Sequence, residues 1–280
     1  MREIAVPAVP SIRWRRFERP IRHGLTLAGV FVLVAFVLPN EAIDLHTYWS
    51  VHPATPYATT SSVEAWNAFP YSPVVALLLG PMHAIGFEAA RILLIGADLA
   101  VLWWLVGPWA LGFVALMPVF QEIAAGNVQL LITASIVAGM RWPAAWSFVL
   151  LTKVTPGIGL VWFVVRREWR SLAMALGTTA ALGAVSWLIH PGWWSGWFAM
   201  LTRNVGTQEY WTLFGIAVWI PPVLLRFPLA AGLVAWGART DRPWTVVVAA
   251  MLALPAIWTT SVSMLVGCLP LVARAERQRA

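Results

Sequence analysis

Apolar runs long enough to lie in a bilayer dominate this sequence. They occupy 24–38, 73–87, 91–107, 108–122, 127–140, 143–165, 171–189, 212–238 and 244–266, mostly with short polar connections between them. Backbone N–H and C=O groups cannot be left facing hydrocarbon, so such a chain must cross as helices that satisfy those groups internally. Composition agrees: 60% of residues are hydrophobic and 11% charged, against about 25% charged in a soluble domain. The expectation is an all-α, polytopic transmembrane protein with nine or ten membrane segments. A single domain at 24–271 lies between a basic N-terminus, 1–23, and a basic tail, 272–280. The formal charge of +7 does not point to nucleic acid. The basic residues sit at the chain ends and in short connections, as orientation signals do. The lone Cys268 falls in a late apolar run, so there is no disulfide framework.

Arginine placement gives the sidedness. Arg2, Arg13, Arg15, Arg16, Arg19 and Arg22 precede the first apolar run, which places the N-terminus in the cytoplasm of a cell (inner) membrane. No small-residue cleavage site follows that run, so it reads as a retained span. It leads to an outer loop, 39–72, that has no Lys or Arg. A second span starts at Pro73, a good first helical residue, with Glu88 and Arg91 marking the inner face. The segment 143–165 reads as one long span ending at Arg166-Arg167-Glu168-Trp169-Arg170, an inner-face cluster. A second outer loop, 190–211, is rich in the interfacial residue Trp. Arg274, Arg277 and Arg279 favour an inner C-terminus and hence two membrane elements in 212–238. The runs 108–122 and 127–140 are shorter than the ~20 residues of a full span. They read as tight spans or as a re-entrant hairpin turning at Gly126-Asn127, where irregular backbone survives only beside a cavity.

Residues 39–73 are the richest candidate for aqueous chemistry. They carry Glu41, Asp44 and Glu64, His46 and His52, and Tyr48, Tyr57 and Tyr71. Asp44 lies at the exit of the first span, where a lipid-borne head group would sit. It reads either as a general base or as the N-cap of a helix starting there. Lys153 is the single Lys among 19 basic residues and lies inside an apolar segment. A charge there costs about 2.5–3.5 kcal/mol on insertion scales, which points to a partner or a wet cavity. It reads as a phosphate-binding cation or as a structural partner of Asp98 or Glu122. Asn127 and Gln129 begin a helix and read as caps or as a sugar- or phosphate-facing N-terminus. His46, Tyr71, His190, Arg203, Asn204 and Gln208 are further candidates for head-group binding. No metal-ligand spacing, phosphate loop or nucleophile motif stands out, so no cofactor and no metal-ligating residue is expected, while the motifs leave a metal requirement open.

Taken in order, IDLHTYW, FPYSPVVALLL, GNVQLLITASIVAG, LTKVTPGIGLVWFVVRREWR, RNVGTQEYW and LPAIW resemble glycosyltransferase family 87 over most of residues 40–260. These are polyprenyl-phosphate-mannose-dependent mannosyltransferases with the GT-C fold. The resemblance implies a polyprenyl-phosphate sugar donor and a glycolipid or lipoglycan acceptor at the outer face of a cell membrane. It also implies inversion at the sugar, with Asp44 as general base and Lys153, seconded by Arg203, at the donor phosphate. Members of the family are usually longer than this chain. The family's late motif, Pro-x-x-Trp followed by His, is matched by Pro255 and Trp258, but Thr259 and Thr260 stand where the His is expected. Two other functions compete: a transporter or flippase built on Lys153, Asp98 and Glu122, and a degenerate member acting as a partner subunit.

Overall fold

The computed structural model describes residues 15–51, 55–57, 69–202 and 210–279. Nearly all of its regular structure is helical. Among the described residues, three helices are long and apolar enough to cross a membrane: Glu18–Val37, Phe87–Val114 and Trp169–Ile189. The first and third are mostly exposed along their length, with apolar side chains such as Leu27 and Leu188 facing outward, as a lipid-facing helix requires. The remaining apolar runs form shorter pieces, and those in 117–165 and 244–267 build most of the interior.

Two ends of the molecule can be told apart by their polar ties. At one end, Arg91 donates to the carbonyls of Leu38 at 2.6 Å and Asn40 at 3.2 Å, and pairs with Glu88. At the other, Arg166 pairs with Asp241, bonds Glu168 at 2.9 Å and donates to the Ala238 carbonyl at 3.1 Å. The first tie corrects the expected second span. Leu38 ends the first span and Arg91 begins the next long helix, and the two touch. The run 73–87 therefore does not cross. It folds as the short helices Pro73–Leu79 and Met82–Ile85, and Glu88 and Arg91 belong to the same end as residues 38–40 rather than the opposite one.

Three helical hairpins fill the centre. Met117–Ala125 and Gln129–Gly139 meet at a 108° bend, the geometry of a broken span or a re-entrant loop, while residues 108–114 extend the long helix from Phe87 instead of forming the first arm of a 108–122 segment. The run 143–165 is not one span. Trp146–Thr152 ends at Lys153, and the chain doubles back, so that Gly157 lies against Leu150 and Gly159 against the Trp146 ring. The fully buried Trp146 also rests on Gly139, so one indole seats two hairpins side by side. The run 244–266 breaks likewise: Trp244–Leu252 is followed by an irregular turn and a 3₁₀ helix, Thr259–Gly267, and Gly267 comes back against Val247. A bilayer tolerates such half-length pieces because their broken backbone is enclosed in protein.

The two elements expected in 212–238 are a β-hairpin and one helix. Strands Tyr210–Leu213 and Ile216–Trp219 pair antiparallel through a two-residue turn, Phe214-Gly215, with both residues at positive φ (52° and 78°). That backbone matches the twist of a tight hairpin. The helix Val223–Arg239 follows.

Candidate active site

The tips of the three hairpins and the segment after the first span enclose a cavity of about 790 Å³. Its polar side is made by Asp44, Thr47, Gln121, Asn127, Thr152, Lys153 and Thr155. Its apolar side is made by Leu201, Leu254, Pro255, Ala256 and Trp258. Gly215, the turn of the β-hairpin, completes one edge.

Asp44 sits in the first turn of the helix Ile43–Ser50 but does not cap it. The turn before that helix is closed by Asn40, whose Oδ1 accepts the Ala42 N–H at 3.1 Å. Asp44 is thereby free of the structural duty the sequence also allowed. Its Oδ2 accepts a hydrogen bond from Asn127 Nδ2 at 2.8 Å. Gly126 makes this meeting possible. It has φ 69°, and a Cβ there would stand 2.7 Å from Leu45 Cβ. Only a residue with no side chain lets the first hairpin tip touch the Asp44 helix. Burial pushes the Asp44 carboxyl above its ordinary pKa, while Lys153 and the Asn127 bond pull it back down.

Lys153 follows the last turn of Trp146–Thr152 and lines the cavity. Its apolar neighbours in sequence are the two arms of its own hairpin, which explains how one cation comes to lie within a hydrophobic run. Among the described residues it forms no ion pair, and it interacts through space with Glu122 and Asp44. Asp98 and Glu122 are fully buried. Glu122 Oε1 accepts the Gln129 N–H, while Glu122 Oε2 and both Asp98 oxygens have no hydrogen-bond partner among the described residues.

Tyr71 lines the cavity with Tyr48. Their hydroxyls are 2.6 Å apart, and Tyr57 donates to the Tyr71 carbonyl at 2.9 Å. Burial pushes the Tyr71 phenol well above its ordinary pKa, so it stays neutral at any physiological pH. The neighbouring Ser72 N–H donates to the Leu151 carbonyl at 3.2 Å, and Trp197 Nε1 to the Pro70 carbonyl at 3.0 Å. The Phe69–Pro73 segment is thus pinned to the second hairpin just below Lys153.

The structure brings Asp44, Asn127, Lys153 and Tyr71 together and leaves other candidates out. Gln129 is buried behind the cavity, bonded to Ser261 Oγ at 3.4 Å. His46 is exposed on the far side of its helix, edge-on to Phe87. His190 stacks on Trp193, 4.0 Å between ring centroids, away from the lining. Arg203, Asn204 and Gln208, with His52 and Glu64, lie outside the described residues. Thr259 and Thr260 line the cavity, and Thr259 Oγ1 accepts the Phe214 N–H at 2.8 Å, which latches the β-hairpin tip to the third helical hairpin. Gln121, Thr152 and Thr155 were missed by sequence reasoning. Each is a polar residue on an otherwise apolar helix or hairpin tip, and that was the available signal. Among the described residues, no group of three or more His, Cys, Asp or Glu is placed to hold a metal ion.

No curated protein and no solved structure matches this chain. The sequence profile of glycosyltransferase family 87 matches residues 69–273, which takes in all three helical hairpins and Lys153 and begins after Asp44. That match covers most of the chain: this protein is a membrane glycosyltransferase belonging to glycosyltransferase family 87.

Proposed function

We propose that this glycosyltransferase moves a sugar from a polyprenyl-phosphate donor to a lipid-borne acceptor, inverting the anomeric centre, with Asp44 as general base. The reading rests on one observation: a half-buried carboxylate and the chain's single Lys line the same cavity in a membrane protein of this family. In the reaction, Asp44 accepts the proton of an acceptor hydroxyl as that oxygen bonds to the anomeric carbon. The bond from that carbon to the phosphate oxygen breaks, and polyprenyl phosphate leaves. Phosphate is a competent leaving group, so a separate general acid is not required, and Lys153 offsets the charge that grows on it. Mannose as the sugar and a glycolipid or lipoglycan acceptor follow from the resemblance to the family's members. So does the placement of the cavity at the outer face, opposite the Arg-rich N-terminus.

The test is sugar transfer by the purified protein in detergent from a polyprenyl-phosphate-linked sugar. Asp44→Asn keeps the size and the Asn127 contact but removes the basic oxygen, so transfer is expected to disappear while thermal stability is retained. Glu41→Gln, on an exposed residue outside the lining, is expected to stay active. Near wild-type turnover by Asp44→Asn sinks the mechanism. Mass spectrometry of membrane glycolipids from a deletion strain identifies the acceptor by the species that vanishes.

A further inference from the structure

Two of the half-length helices, Trp146–Thr152 and Trp244–Leu252, end at the cavity with their C-termini. A helix C-terminus presents unpaired carbonyl oxygens and a partial negative charge. Both are unfavourable beside an anionic ligand. The first of these ends is followed directly by Lys153. The second has no cation of its own in sequence; it has Arg226.

Arg226 lies in the first turn of the helix Val223–Arg239 and is 5% exposed. Its Nη1 donates to the carbonyls of Leu252 at 2.5 Å and Leu254 at 2.8 Å, its Nη2 to that of Pro255 at 3.0 Å, and its Nε to that of Pro221 at 2.6 Å. Leu254 and Pro255 belong to the cavity lining. Their carbonyls are committed to the guanidinium, so the wall they form meets the cavity with hydrocarbon. Burying an Arg is costly and is sustained only by a full set of partners. Packing alone would be served as well by a leucine. The planar fork of five N–H donors is what allows one side chain to hold several carbonyls that diverge around a broken helix end.

We infer that Arg226 is a positioning residue for an anionic ligand. By holding the carbonyls of Leu252, Leu254 and Pro255, it keeps acceptor oxygens and the negative helix end from opposing a phosphate group bound near Lys153. This rests on the phosphate-linked donor proposed above and adds a residue outside the cavity to its recognition. The effect is confined to charge. A neutral ligand with the same hydrocarbon chain gains nothing from it.

The test measures binding of two probes to the full-length protein in detergent, undecaprenyl monophosphate and undecaprenol, by ligand-induced thermal stabilisation. Wild type is expected to bind the phosphate more tightly than the alcohol. Arg226→Gln, with two donors and no charge, is expected to lose about tenfold in phosphate affinity and to keep its alcohol affinity. Arg226→Lys keeps the charge but not the fork, and is expected to lose about threefold, again for the phosphate alone. Equal weakening toward both probes, or an unchanged phosphate affinity, overturns the inference in either variant. If Arg226→Gln does not yield folded protein, the Arg226→Lys result decides by the same criteria. Lys153→Met is measured alongside. If it loses the phosphate preference while the Arg226 variants keep theirs, the inference alone fails. If wild type shows no phosphate preference, the donor reading fails and this inference with it.

Discussion

Asn127 donates from Nδ2 to Oδ2 of Asp44 at 2.8 Å, while its own Oδ1 accepts the Val128 N–H at 2.7 Å. The second bond fixes the orientation of the amide. The donor faces the carboxylate, and Asp44 has one oxygen tied and the other available to the cavity. The two residues are 83 positions apart, so the bond joins the segment after the first span to the tip of the first helical hairpin.

Asn127→Ala should therefore change how transfer depends on pH. A general base works only when ionised, so activity falls as pH drops through its pKa. Burial already raises the Asp44 pKa, and the Asn127 bond is one of the two influences lowering it. Removing that bond moves the acid limb of kcat/KM to higher pH, while turnover on the high-pH plateau stays within a few fold of wild type. An unmoved acid limb would show that Asn127 does not govern the base.

Lys153→Met should leave the hairpin folded, because the substituted chain is apolar and similar in length. It should slow transfer by on the order of 10²–10³, the usual cost of one lost charge-stabilising group. The check is turnover at limiting and saturating donor. Full turnover under both conditions removes Lys153 from the mechanism.

Gly126→Ala and Gly126→Asn separate backbone strain from contact. Asn tolerates the left-handed conformation that Ala resists, but either Cβ would stand 2.7 Å from Leu45 Cβ. Contact is expected to decide, so both variants should push Asn127 away from Asp44 and lower kcat/KM. A misplacement of ~1 Å is worth up to about 10²-fold. Recovery of wild-type activity in Gly126→Asn alone would instead assign the whole effect to backbone conformation.

Sidedness can be read with single cysteines in a Cys268→Ser background. Glu41→Cys lies at the cavity end and Arg170→Cys beside the Arg166–Asp241 tie at the other end; both positions are exposed. In intact cells an impermeant thiol reagent should label the first and reach the second only after permeabilisation. The reverse pattern would turn the cavity toward the cytoplasm.

Much of the site was legible because its polar residues stand out against hydrocarbon. Asp44, Asn127 and Lys153 each interrupt or border an apolar run, and the energetic cost of placing them there singled them out. Gln129 and His46 stood out equally, yet the first is buried with its amide on Ser261 Oγ and the second faces away, a difference set by helix phase in three dimensions. The span pattern was less legible. A half-length helix that turns back inside the protein has the same apolar composition as a tight full span, so 143–165 reads as one crossing, and only the contacts of Gly157 with Leu150 and of Gly159 with Trp146 give the turn away. The run 73–87 misled for the same reason, and the contact that corrects it, Arg91 with the Leu38 and Asn40 carbonyls, joins residues 51 and 53 positions apart. The β-hairpin was hidden because its sequence, YWTL followed by IAVW, is largely apolar, which erases the alternation that marks a strand. The part played by Arg226 was not legible, since the four backbone carbonyls it bonds leave no trace in a sequence.

The three helical hairpins bring turns, not the middle of a through-going helix, to the cavity, and the first adds one face of Met117–Ala125. Their roots are held elsewhere, by Trp146 between Gly139 and Gly159 and by Gly267 against Val247 and Thr133. A turn can be lengthened, shortened or re-sequenced without re-threading the chain through a bilayer. Scaffold and specificity are thereby separable in inheritance: descendants of such a protein can drift toward new sugars or acceptors at a handful of tip positions while the interior that folds them is passed on unchanged.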